Sequence, residues 1–188
     1  MGSDSGISII EQLAADHRRI QSLLDRVRSA PPGSDERTSL VEQAGSRLVS
    51  HLVAEKERLY PLVDRYVVDG DEGVDGLLAV DERIQRALKS LEDVPADSER
   101  YAHLLLCLVS GVTEHVVGLE QRLFPRLQAM SPVAVLRDAG AGARRAEAVG
   151  PTRPRPDAPG SPALTKLTSA VWGPWDRLRA RLARRGLQ

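Results

Sequence analysis

The sequence predicts an all-α protein: an up-down-up-down four-helix bundle, then a short helix, a proline-rich linker and a basic amphipathic helix. Three observations carry that expectation. Aromatic residues make up 3% of the 188, so the core must be built from Leu, Val, Ala and Ile, and sheets are disfavoured. Apolar residues recur at alternating spacings of three and four along four successive segments. The chain also repeats itself at an offset of 64 residues, the length of one helical hairpin.

Ser8, with Glu11 three residues on, is a capping box that opens the first helix. Its stripe is Ile10, Leu13, Ile20, Leu24 and Val27, with His17 filling the gap in phase. Pro31-Pro32-Gly33 ends it and Ser34 caps the second helix. That helix runs to about Tyr66 with Leu40, Ala44, Leu48, His51, Glu55, Leu59 and Leu62 on its seam, and Asp69-Gly70 to Gly73 reads as a turn. The third carries Leu77, Asp81, Ile84, Leu88 and Leu91 and stops near Pro95. The fourth, capped at Asp97 or Ser98, carries Tyr101, Leu105, Leu108, Val112, His115, Leu119 and Leu123. Short connections make neighbours antiparallel.

The bundle is expected over residues 1–130 and a short helix over 131–149, opened by Ser131-Pro132 and weakened by Gly140 and Gly142. Residues 150–163 read as the linker. Residues 164–188 carry Leu164, Leu167, Val171, Trp175, Leu178 and Leu182 on one stripe, which Gly173-Pro174 interrupts. In the repeat, Arg19-Ile20-Gln21 falls on Arg83-Ile84-Gln85 and His51 on His115, while Arg58-Leu59-Tyr60-Pro61 falls on Arg122-Leu123-Phe124-Pro125.

Net charge is zero, yet the ten Arg and Lys from Arg144 onward face three acids, leaving an acidic body with a basic tail. The tail fits a peripheral membrane or protein contact through residues 164–188. Nucleic-acid binding is not expected, because charge without a reading motif is all that points to it. One cysteine, Cys107, excludes an internal disulfide and a cysteine-based zinc cluster, and beside Leu108 it reads as a small buried residue. No unbroken apolar run reaches the roughly 18–20 residues of a membrane span, and no secretory signal is visible at Met1 to Gly6, so the expected compartment is the cytoplasm.

His17, His51, Asp81 and His115 occupy seam positions, and Glu55 follows His51 by one turn. An ionisable group facing a bundle core costs several kcal/mol unless paired or coordinated. Counted from the connections at about 1.5 Å per residue, all five fall within roughly one helical turn in height. Imidazole with carboxylate, and no thiolate, suits iron or manganese. Facing His and Glu in a bundle core are a known way to hold two metals. No nucleophile–base pair or substrate cleft is legible, so a conventional enzyme is not expected.

These residues resemble the hemerythrin-like, or HHE cation-binding, domains. The matching pieces are Asp16-His17-Arg18-Arg19-Ile20, His51-x-x-x-Glu55 running into Arg58-Leu59-Tyr60-Pro61, and His115 leading to Leu123-Phe124-Pro125, over about residues 8–130. The tail looks like that of actinobacterial members. The resemblance implies a non-haem iron centre, dinuclear rather than mononuclear, that binds or senses a diatomic ligand or peroxide, or handles iron; the alternative is a degenerate, metal-free bundle that acts as an interaction module through its basic C-terminal helix. His17 and His51 would bind one iron, and His115 and Asp81 the other. Glu55 would bridge them, with Glu120. Two positions depart from the family pattern: Asp81 stands where a histidine is usual, and Leu119 where many members have glutamate. Glu120, five residues after His115, would reach the site only through a π-bulge, which Gly118 makes easier.

Overall fold

The computed structural model describes residues 6–149. Helix α1 (Ile9–Ser29) opens on the Ser8–Glu11 capping box, with both reciprocal bonds present. Helix α2 (Asp35–Ala54), capped by Ser34, runs through a π-helical turn (Glu55–Leu59) into α3 (Tyr60–Tyr66). Helix α4 (Gly70–Glu92) follows a left-handed Asp69 with φ 53°. It therefore starts inside the segment read as a turn, because one αL residue suffices to reverse the chain. Ser98, whose hydroxyl accepts from the Tyr101 N–H, caps α5 (Glu99–Val117). A second π-helical turn (Gly118–Leu123) leads into α6 (Phe124–Met130), and α7 (Val133–Val149) completes the described chain.

Helix α1 packs on α2, and α4 on α5, as two hairpins closing an up-down-up-down four-helix bundle. The π turns fall at equivalent places in the 64-residue repeat, one in each hairpin's second helix. Each extra residue slips the helical phase. Hence Tyr60 and Val63, rather than Leu62, turn into the core, as Phe124 and Leu127 do in the second hairpin. With Ile9, Leu13, Leu59, Leu119 and Leu123 they form one apolar cluster at that end of the bundle. Glu99–Met130 contains a stretch long and apolar enough by composition to cross a membrane. Its apolar inward face, including Leu108, Val112 and Leu119, is bundle core.

Helix α7 lies against α1 and buries Leu136 and Ala143. The glycines that weaken it on propensity are points of close approach. A Cβ on Gly140 would stand 2.8 Å from the carbonyl carbon of Ser8 and 2.9 Å from the nitrogen of Ile9, backbone atoms that cannot swing aside. Helix propensity alone gives Gly140→Ala a gain of about 1 kcal/mol. Overpacking reverses the sign, and a net loss of about 1–3 kcal/mol is expected in thermal or urea unfolding. Gly76→Ala, with nothing within 4 Å of the added carbon, should instead stabilise. The linker and the basic amphipathic helix expected over residues 150–188 lie outside the described residues.

Candidate metal centre

Every helix of the bundle brings one of the expected residues to the same level. His17 comes from α1, His51 from α2, Asp81 from α4 and His115 from α5; Glu55 opens the first π turn and Glu120 lies in the second. Glu55 is the hub. The Nε2 atoms of His51, His115 and His17 stand 2.9, 3.3 and 3.7 Å from one oxygen of its carboxylate, Oε1. The three rings meet edge-on, with centroids 4.6–5.7 Å apart. One ligand atom from each of His17, His51, Glu55 and His115 lies within 4.8 Å of the other three. None of the four residues is more than 3% exposed.

The structure brings Asp81 and Glu120 to the same layer, but onto other atoms. Asp81 Oδ1 lies 2.9 Å from Nδ1 of His115, and Asp81 Oδ2 accepts from the Tyr60 hydroxyl at 3.4 Å. Glu120 Oε1 lies 2.7 Å from Nδ1 of His17. Both carboxylates thus meet the ring nitrogens that do not face Glu55, the placement by which an outer acid sets an imidazole's tautomer and orientation. The sequence reading pairs Asp81 with His115 as ligands and gives Glu120 a bridging place; here each stands behind a histidine. Leu119, the repeat counterpart of Glu55, is fully buried in the apolar cluster.

Glu120 reaches His17 because the helix unwinds. Five residues of regular α-helix leave a side chain about 140° out of phase with His115. The π turn begins at Gly118, so the last steps to Glu120 turn by only about 82° each and the discrepancy shrinks to roughly 100°. Its sequence signal was the mismatch in the repeat, with Leu119 opposite Glu55 and an acid one residue later. Periodicity did not foresee Phe124, whose ring stacks parallel to that of His17 at 6.0 Å. Cys107 corrects a second expectation: one residue from inward-facing Leu108, the helical rotation carries it to the exposed face, 3.6 Å from His103 Nε2.

Burial pushes the Glu55 carboxyl upward, but the charges of His51 and His115 and the polar contacts of His115 and His17 outweigh it. They hold the group well below the usual carboxylate range. Burial lowers His115, while Glu55 and Asp81 more than offset this and carry it up to about 10. Burial also raises Asp81, against the opposing contact and charge of His115, and with help from Glu55 it holds the Tyr60 phenol well above its ordinary value. Close as they are, many of these atoms are not aligned for hydrogen bonding. His17 Nε2, both nitrogens of His51 and His115, both oxygens of Glu55 and Asp81 Oδ1 have no hydrogen-bond partner among the described residues. Three imidazole nitrogens and a carboxylate, crowded yet unsatisfied, are the donor set of a transition-metal site, so the residues fit a cation.

A four-helix bundle gathering three imidazoles and a carboxylate from separate helices about one buried point defines a class, the cation-binding bundle proteins. Within it, the chain belongs to the hemerythrin HHE cation-binding domain family, which matches residues 8–137. Its fold is similar to the crystal structure of a hemerythrin HHE cation-binding domain-containing protein from Mycobacterium kansasii. That likeness has a TM-score of 0.67 and 19% identity, and covers 74% of this chain and 85% of the other. No curated protein matches the chain.

Proposed function

We propose that the chain holds non-haem iron through His17, His51, Glu55 and His115, and uses it to bind or sense oxygen, peroxide or nitric oxide, or to handle iron. The observation that carries this reading is the set of buried, unsatisfied nitrogen and oxygen atoms of those four residues, which face one another at 2.9–3.7 Å. When bound, iron would supply a redox-active Lewis acid with affinity for small diatomic ligands. The chain's own part is to position and to exclude water. Glu120 holds His17 by its outer nitrogen, Asp81 sets a negative charge beside that of His115, Phe124 braces His17, and Leu59, Leu119 and Leu123 keep the level dry.

One tightly held iron matches this donor set better than two. Leu119 removes the counterpart of Glu55, and Asp81 and Glu120 are engaged with outer nitrogens. A second iron, if bound, would need both carboxylates to turn inward and would be the weaker. We place the protein in the cytoplasm, where an exposed free thiol such as Cys107 persists, and we assign any membrane or protein contact to residues 164–188. Metal analysis after expression in iron-supplemented medium tests the reading. About one iron per chain is expected; about two would restore the dinuclear form, with its oxo-to-iron visible band, and none would refute the proposal.

A further inference from the structure

The site residues differ in access to solvent. His17, His51, Glu55, Asp81 and His115 are 0–3% exposed. The Glu120 side chain keeps 37% of its surface while one of its oxygens holds His17 Nδ1 at 2.7 Å. Glu120 is therefore the member of the cluster that meets both solvent and a site imidazole. It also stands in the π turn, where the regular α-helical hydrogen-bond ladder is interrupted.

Resting on the reading of the buried cluster as a cation centre, we propose that Glu120 is its entry carboxylate: it captures a divalent cation at the bundle wall and passes it to the imidazoles and Glu55 behind. A hydrated dication does not cross an apolar wall unaided, because stripping its water without replacement costs far more than the site could return along the way. An anionic oxygen in contact with both solvent and the first imidazole replaces that water stepwise. A fixed charge at a low-dielectric mouth also raises the local cation concentration. A port differs from a ligand in kinetics. It speeds entry and exit alike and leaves the equilibrium nearly untouched, whereas a ligand or an orienting acid chiefly slows exit.

The test uses the metal-free full chain, Co(II) as an absorbing probe in stopped-flow, and a chelator chase for release. For Glu120→Gln, uptake should slow by about tenfold or more, at the low end of what a focused charge contributes, and any weakening of Kd from a less firmly held His17 comes on top of that slower entry. The wild-type uptake rate should fall with added salt, and that of Glu120→Gln should not. Glu120→Asp, which keeps the charge on a shorter arm, should recover part of the rate and guards against a folding defect in the first variant. Unchanged uptake by Glu120→Gln would overturn the port. Weaker binding that comes wholly from faster release would mark an orienting acid alone, and a lower Co(II) content with an altered spectrum would mark a ligand; either would overturn the port. A wild-type chain that takes up neither Co(II) nor Fe(II) would overturn the cation centre itself, a result distinct from all of these.

Discussion

Adding ferrous iron to the metal-free chain, without oxygen, is expected to raise its melting temperature by about 8–16 °C. At a free metal concentration about a thousand times Kd, binding to the folded state alone contributes about 4 kcal/mol. A chain of this size gains about 2–4 °C per kcal/mol. The unfolded chain cannot compete, because the four ligands come from α1, α2, the first π turn and α5 and meet only in the bundle. His51→Ala should abolish the shift, since it removes the imidazole nearest to Glu55, at 2.9 Å. The shift should also grow with pH. His115 is held up to about 10, so near neutrality it keeps a proton that an incoming cation must displace. Each displaced proton makes the affinity rise about tenfold per pH unit below that value, or about 1.4 kcal/mol. Calorimetry in buffers of different ionisation enthalpy would count that proton. An iron-independent melting temperature would refute the centre.

Glu55→Leu is expected to have the largest effect of any single substitution, and a pH-dependent one. It copies Leu119 from the other half of the repeat, and it removes the one carboxylate that all three Nε2 atoms face. Iron content should fall to near zero. Without metal, the variant leaves imidazoles buried with less counter-charge, and breaking a buried pair of this kind costs about 3–5 kcal/mol. The sign follows from linkage. The folded pKa of His115 is raised, so its stabilisation is full below its unfolded value, near 6.5, and is lost as pH rises through about 10. That of Glu55 is depressed, so its contribution is present above its unfolded value, near 4.5, and is lost as pH falls. The deficit should thus be greatest near pH 5–6 and shrink toward pH 10. Urea unfolding of both metal-free chains across that range measures it, and a constant deficit would mean that Glu55 acts only by packing.

The helices and the inward placement of His17, His51, Glu55 and His115 could be read from the residues because both are local. A spacing of three and four specifies a helix and the side of it that a residue occupies. Doubling by 64 residues then fixes the hairpins, and a polar residue in phase with Leu13 and Ile20, or with Leu48 and Leu59, has to lie at their level. Less legible was what breaks the period. The π turn at Glu55 to Leu59 moved Val63 into the place expected for Leu62, because an inserted residue shifts everything after it while leaving the composition unchanged. Gly140 was legible as a weak point of a helix but not as the contact that seats α7 on the start of α1, since that contact joins residues far apart in the chain.

Periodicity and repetition specify two matching helical hairpins with imidazoles and acids in the dry interior, because neither needs long-range information. Which nitrogen of each ring faces Glu55, and that Asp81 and Glu120 stand behind His115 and His17, is set by the packing of the folded chain. Periodicity assigns a direction to within about one residue's 100° turn. A ring nitrogen's partner depends on ångström differences in helix rotation, which are set where four helices pack and two of them unwind.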